Sequence, residues 1–405
     1  MEFLLALLLL LLLAKILGEA LHRIGFSSLI GEVAVGIILG PALLGWIIIK
    51  PGDLTSDAIR GVAELGLIVL MLVAGMNSRF DMLMKVRFKA FVIAISGMAT
   101  TFTLGFWISY VWSQQILTSL FVAAVLSNTA TEIVIRFTEY SPFKDLMVGA
   151  ALIDDIFAVY ILGILSTATL SQTSGQPLNF SIFIWSTIGI VAFFILVIYL
   201  SHELVVKRNI LRRLWKFEQR GIPLTFAIIL ALVFATIAQR IGLHAIIGAY
   251  MAGLFIGRLR ERPMVTLQSR IRLNTMLESI TTSLQSILTP MFFVFVGLSF
   301  GINPSTGQLL NLSQISLVLL LALTIVAFGG KLIGCGAGAA AVGYRGRDVA
   351  EIGTAMCARG SLELAILQFA LLSGVMDLGL FAVMVMTTLI TTILTPIFFK
   401  YVSRK

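Results

Sequence analysis

The stretch "ALIDDIFAVYILGIL", residues 151–165, sets two adjacent carboxylates, Asp154 and Asp155, inside an otherwise apolar run. The rest of the chain is equally apolar. Of its 405 residues 59% are hydrophobic and only 12% charged, and the mean hydropathy is +1.02. A soluble domain carries about 25% charged residues, so most of this chain lies in lipid. The two aspartates fall near the middle of an apolar span over 145–168. A charge at that depth costs at least ~2.5–3.5 kcal/mol, which makes it a functional candidate. Neighbouring helix positions point about 100° apart. The pair therefore cannot serve one purpose with one geometry: one carboxylate can face a packed partner while the other faces a cavity.

A helix needs roughly 20 apolar residues to cross a bilayer. About thirteen such runs are found: 3–21, 28–49, 58–76, 89–112, 116–137, 145–168, 180–204, 222–240, 242–258, 278–300, 315–343, 347–373 and 377–400. They are too long and too continuously apolar for barrel strands, the other spanning solution. The first run resembles a signal-peptide core, but Glu2 stands where a positive start is expected and no small-residue cleavage site follows. It reads as a first membrane helix. Cys335 and Cys357 both fall within apolar segments and provide no disulfide framework.

The formal charge of +9 is an orientation signal rather than a nucleic-acid surface. Lys331 and Arg359 lie within spans, and Lys50, Arg60 and Arg240 follow even-numbered spans. The remaining 24 of the 29 Lys and Arg residues lie near loops after odd-numbered spans or in the tail. The positive-inside rule then places the N-terminus outside and the C-terminus in the cytoplasm. The longest polar connection, 205–221, is a basic cytoplasmic linker near the middle of the chain.

Weak internal similarity divides the chain into halves. "GIILG" (36–40) resembles "GLFIG" (253–257), and "LMLVAGM" (70–76) resembles "FFVFVGL" (292–298). A shift of seven spans is odd, so matched helices run in opposite directions. Such inverted repeats mark many secondary transporters, whose sites lie where discontinuous helices meet near the bilayer midplane.

Other polar residues gather at depth. Lys331 sits in "LTIVAFGGKLIGCGAGAAA", whose glycines and alanines allow close helix approach. It needs a counter-ion, and an aspartate is the obvious one. "VLSNTATEIVI" (125–135) brings Ser127, Asn128, Thr129, Thr131 and Glu132 into one span. So many short polar side chains compete with helical backbone bonding and predict a break. The freed oxygens are hard ligands for a small cation, with Asp155, Asp154 and Thr129 as candidate metal ligands. The inverted partner segment carries "TAMCARGSLELAI" (354–366). There Arg359 either neutralises the ends of broken helices or pairs with Glu363. Glu32 and Glu64 lie near span starts and read as anchors, and Glu351 reads as interfacial. Of the histidines, His22 and His202 lie near span ends and His244 begins a span, without metal-ligand spacing.

These motifs resemble the monovalent cation:proton antiporters of the sodium/proton and Kef-type potassium efflux group. The likeness is carried by "GEVAVGIILGPALLG", "ELGLIVLMLVAGM", "GLHAIIGAYMAGLFIG", "PMFFVFVGLSF", the aspartate pair, Lys331 and the Arg-Gly of "ARGSLELAI". It implies an all-α polytopic membrane protein of about 13 helices with inverted-topology repeats, in which segments 5 and 12 cross as broken helices. It implies a core over about 89–168 and 315–400, and a dimerisation panel over about 1–76 and 222–300, in a homodimer. By the same resemblance Asp155 is the main cation- and proton-binding carboxylate and Asp154 pairs with Lys331. Adjacent aspartates mark the electrogenic members, whereas electroneutral relatives carry Asn-Asp and Kef-type members usually Gln-Asp. Two departures stand out. Family members commonly have Gly-Leu-Glu where this chain has Gly75-Met76-Asn77. Many have Arg-Gly-Glu where it has Arg359-Gly360-Ser361.

The expectation is a secondary antiporter of a prokaryotic cell membrane that exchanges sodium or lithium for protons, with no cofactor. It would work without ATP, since no phosphate-cradling Gly-Lys-Ser/Thr loop is present. A potassium/proton exchanger is the nearest alternative. Lys331 between two acids argues against an organic-anion symporter. Convergence of the polar residues within one chain argues against a channel.

Overall fold

The computed structural model describes residues 3–78, 80–173, 180–200, 203, 222–241, 243–258 and 267–403; the expected linker 205–221 lies outside them. The described chain is helical, in the order α1 (Phe3–Arg23), α2 (Ser28–Leu39), α3 (Leu54–Asn77), α4 (Phe80–Ser113), α5 (Ile116–Ser127), α6 (Thr131–Phe137), α7 (Lys144–Thr173), α8 (Phe180–Leu200), α9 (Ile222–Arg240), α10 (Ala245–Gly257) and α11 (Leu267–Gly301). Then come α12 (Leu317–Ile325), a π turn (Val326–Gly330), α13 (Lys331–Ala341), α14 (Arg347–Ala355), α15 (Ser361–Leu372) and α16 (Leu378–Val402).

Among the described residues eight helical stretches are long and apolar enough to cross a membrane, and five shorter apolar helices accompany them. Full-length helices therefore do not fill all of the expected spans. The run 28–49 stays helical only to Leu39, because Gly40 turns extended and Pro41 has no N–H to continue the ladder. The run 347–373 is divided into α14 and α15.

The chain forms two compact units. One comprises residues 1–61, 82–165 and 293–405. Within it α1 packs on α2, α5 on α15, α13 on α14, and α12, α14 and α15 on α16. The other comprises 62–81 and 166–292, and in it α10 packs against α8 and α9.

Each unit contains a helix crossing that only glycine permits. In the first, a Cβ on Gly36 of α2 would overlap the Val294 carbonyl oxygen of α11 and lie 2.8 Å from the Gly297 Cα. In the second, a Cβ on Gly253 of α10 would overlap the Leu72 carbonyl oxygen of α3 and lie 2.8 Å from the Gly75 Cα. Small residues let helix backbones touch, and in lipid this van der Waals contact is a main source of helix association.

Turns outside the spans are held by side chains. Before α3, Asp53 accepts from the Ser56 main-chain N–H at 3.1 Å and from its hydroxyl at 2.8 Å, and this holds the Asp53 carboxyl below its ordinary range. Arg136, at the end of α6, donates to the carbonyls of Phe26 and His22 at 2.7 and 2.8 Å and so ties down the α1–α2 loop.

Candidate ion-binding site

The polar run 127–131 breaks its span as its chemistry demands. α5 ends at Ser127, Asn128 and Ala130 are extended, and α6 starts at Thr131. The second break runs from Met356 to Gly360, between α14 and α15. The two breaks are bonded to each other. The Ala130 N–H donates to the Ala358 carbonyl at 2.9 Å, and the Thr129 hydroxyl donates to the Met356 carbonyl at 2.8 Å. Backbone groups freed by an interrupted helix at membrane depth need internal partners, and here each break supplies some to the other. Gly360 packs tightly against the first break: a Cβ there would lie 2.6 Å from the Ala130 Cβ.

Three of the four helix ends at the breaks meet a charge of the appropriate sign. Arg359 is 1% exposed; it donates to the carbonyls of Val125 (3.4 Å), Asn128 and Ala327 (2.9 Å). It thus neutralises the C-terminal, negative end of α5. Glu363 does not bond Arg359. Its Oε2 accepts from the Gly360 N–H at 2.9 Å as a cap for α15, within electrostatic reach of Arg359. Glu132, in the first turn of α6, reaches the main-chain N–H and hydroxyl of Ser361 at the start of α15. The acids therefore sit at positive helix ends and the arginine at a negative one.

α7 brings Asp154 and Asp155 beside these breaks, and their surroundings differ as the 100° step requires. Asp154 is fully buried, with the Lys331 ammonium 2.5 Å from its Oδ2. Arg359 is a second cation acting on it, and its Oδ1 has no hydrogen-bond partner. Asp155 is half-buried and accepts from the Thr131 hydroxyl at 2.7 Å. The charged groups acting most strongly on Asp155 are acids: Glu363, Asp154 and Glu132.

An ionised carboxylate this deep, next to other acids and with no cation of its own, is costly to leave unpaired. Asp154 has its charge matched within the protein.

The remaining candidates are distributed as follows. The Ser127 hydroxyl bonds back to the Ala124 carbonyl at 2.9 Å within its own helix. Asn128 is buried, and neither its side-chain oxygen nor its nitrogen has a partner. Glu32 is buried and Glu64 exposed. Glu351, read as interfacial, is 2% exposed and accepts from the Ser141 hydroxyl at 2.6 Å. His244 caps α10 by accepting from the Ile246 N–H. Among the described residues no group of three or more His, Cys, Asp or Glu side chains is arranged to hold a metal ion.

The sequence reading missed three contacts. Thr392 of α16 donates to the Arg359 carbonyl at 2.8 Å, Cys357 donates to the Phe328 carbonyl, and the Ala327 carbonyl serves as an arginine acceptor. The threonine-rich pattern of α16 was the one available signal. The other two depend on a π turn that composition does not announce.

The family model described as sodium/hydrogen exchanger, transmembrane, matches residues 7–405. The chain is 28% identical over 405 residues to the "Na(+)/H(+)-K(+) antiporter GerN" of Bacillus cereus, covering 99% of this chain and 96% of that protein. It is 26% identical to a "Na(+)/H(+) antiporter" of Enterococcus hirae, covering 100% and 99% respectively. Its fold is similar to that of the sodium proton antiporter MjNhaP1 of Methanocaldococcus jannaschii. In one structure of that protein the TM-score is 0.68 at 13% identity, over 98% of this chain and 95% of that chain.

Proposed function

This chain belongs to the transmembrane sodium/hydrogen exchanger family, and we propose that its exchange takes place at the Asp155 carboxylate. It is an integral membrane protein and a secondary active antiporter that moves sodium or lithium against protons. The observation that carries the site assignment is the asymmetry of the pair. Asp154 is matched by Lys331 at 2.5 Å, while Asp155 accepts from Thr131 and has acids as its strongest charged neighbours. One carboxylate that accepts a metal ion or a proton, never both, couples the two fluxes provided only loaded forms cross. Asp155 would bind the cation with Thr131, Asp154, Thr129, Asn128 and Ser127 nearby. Arg359, Glu132, Glu363 and Lys331 would balance the surrounding charge.

The architecture extends the same reading. The eight long and five short apolar helices support thirteen spans, with α5–α6 and α14–α15 as the crossed broken pair. The glycine crossings support the inverted repeat. The offsets of 217 and 222 carry Gly36 to Gly253 and Gly75 to Gly297, so the α2–α11 contact maps onto the α10–α3 contact. Core (about 89–168 and 315–400) and panel (about 1–76 and 222–300), a homodimer, an outside N-terminus, a cytoplasmic C-terminus and a prokaryotic cell membrane complete the proposal. The aspartate pair favours an electrogenic cycle. Potassium is the second cation to test, since GerN is named for it as well as for sodium.

The test is reconstitution in proteoliposomes with separate sodium, lithium and potassium gradients, reading internal pH. Asp155→Asn is expected to abolish cation-driven proton movement. Retention of the full rate would remove Asp155 from the mechanism.

A further inference from the structure

We propose that the π turn Val326–Gly330 is the element that aims Lys331 at Asp154, and that Cys357 is its positioning residue. This rests on the antiporter reading above and adds a part to it. A π turn holds one residue more than an α turn. Because each residue advances a helix by about 100°, deleting that residue would swing Lys331 and all of α13 by about that angle relative to α12. The ammonium would then miss the Asp154 carboxylate.

A π turn also loosens its own backbone bonding, so its carbonyls need partners from elsewhere. Both partners come from the second break. The Ala327 carbonyl takes Arg359 at 2.9 Å, and the Phe328 carbonyl takes the Cys357 thiol at 3.2 Å. The Phe328 carbonyl is also the acceptor for the main-chain N–H of Lys331. One oxygen atom therefore stands between the Cys357 thiol and the Lys331 backbone. Cys357 and Lys331 are both fully buried, and the thiol's other contact is the Gly353 carbonyl at 3.3 Å on its own helix. Any displacement of the break that carries Arg359 and Cys357 pulls on the turn that sets the lysine.

The charged and titratable groups around the ion pair are Arg359 and Asp155, with Cys335 on α13 and Glu363 on α15. Cys357 also acts on Arg359, and the serine variant keeps a polar donor at that position. If the thiol bond is lost, the Phe328 carbonyl loses a donor and Lys331 is aimed less firmly at Asp154. The pH midpoint of exchange should then move by about half a unit, or roughly threefold in proton affinity.

The experiment measures sodium-driven proton movement across a pH series for the parent, Cys357→Ala and Cys357→Ser. The alanine variant is expected to shift the midpoint, and the serine variant, which still donates a hydrogen bond, is expected to restore it. Superimposable parent and alanine profiles, or an alanine shift that serine leaves unchanged, would overturn the proposal. A parent that exchanges nothing would instead overturn the antiporter reading. A second measurement does not depend on the folding of Cys357→Ala. In the Cys335→Ala background the infrared S–H stretch belongs to Cys357 alone. A band at the frequency of a bonded thiol that moves between proton-loaded and sodium-loaded protein supports the proposal. A free-thiol band, or one indifferent to load, defeats it.

Discussion

Arg359 places its guanidinium on the main-chain oxygen of Asn128, 231 positions away in sequence, and leaves nearby Glu363 to cap α15 through the Gly360 N–H. The arginine thus joins the second break to the end of α5 and to the π turn ahead of Lys331. Arg359→Ala would strand the Asn128 and Ala327 carbonyls, and each buried, unpaired group costs about 1–3 kcal/mol. A marked drop in melting temperature in detergent is expected, together with lost exchange. Arg359→Lys should rescue little, because an ammonium cannot fork between carbonyls on different helices. Wild-type melting for Arg359→Ala would show that the bonds contribute nothing.

Lys331 and Asp154 should behave as a coupled pair. Lys331→Ala leaves a buried carboxylate without its cation, a defect worth about 3–5 kcal/mol. Removing both charges, in Lys331→Ala with Asp154→Asn, should recover much of that loss. Thermal melting of the two single variants and the double variant gives the coupling directly. Additive losses would mean that the pair is not a unit.

The glycine crossings predict four equivalent weak points. Alanine at Gly36, Gly75, Gly253 or Gly297 drives a methyl group into a neighbouring backbone, and overpacking of this kind costs roughly 1–3 kcal/mol. Gly61→Ala is the control, since a Cβ there meets nothing within 4 Å. The control is expected to melt at or slightly above the parent, because alanine is the better helix former, and a control that melts as low as the four would show that crowding is not responsible.

The first turn of α3 should loosen in acid. The Asp53 carboxyl is held below its ordinary value by Ser56. Its contribution is complete above the ordinary carboxylate range and fades as the pH falls through the lowered value. Hydrogen exchange at Ser56 and the residues after it is expected to speed up below that range. Asp53→Ala should show the fast rate at every pH, and an unchanged rate in that variant would rule the cap out.

Charge stoichiometry offers a separate test. An electrogenic cycle makes exchange sensitive to an imposed membrane potential, which a potassium gradient with valinomycin supplies in proteoliposomes. Indifference to the potential would mean an electroneutral cycle despite the two aspartates.

Much of the site was legible because membrane burial makes polar residues conspicuous. The cluster 127–131 announced its break, and a mid-span lysine required an acid, which the structure supplies in Asp154. Arg359 could not be placed the same way. Spacing allowed either helix ends or Glu363, and the choice was made by which carbonyls the tertiary fold brought within reach. The π turn was hidden for a related reason. "IVAFGGK" suits an α-helix as well, and the extra residue is stabilised by donors from a segment about thirty positions later. Helix 28–39 was overextended because apolar content continues through "ALLGWIII" after Gly40-Pro41 has ended the hydrogen-bond ladder.

Two short bonds clasp the interrupted segments together, Ala130 to Ala358 and Thr129 to Met356. Neither half can shift alone without breaking both bonds. The two interrupted segments are therefore expected to travel as one piece, and a probe attached to either should report the same displacement.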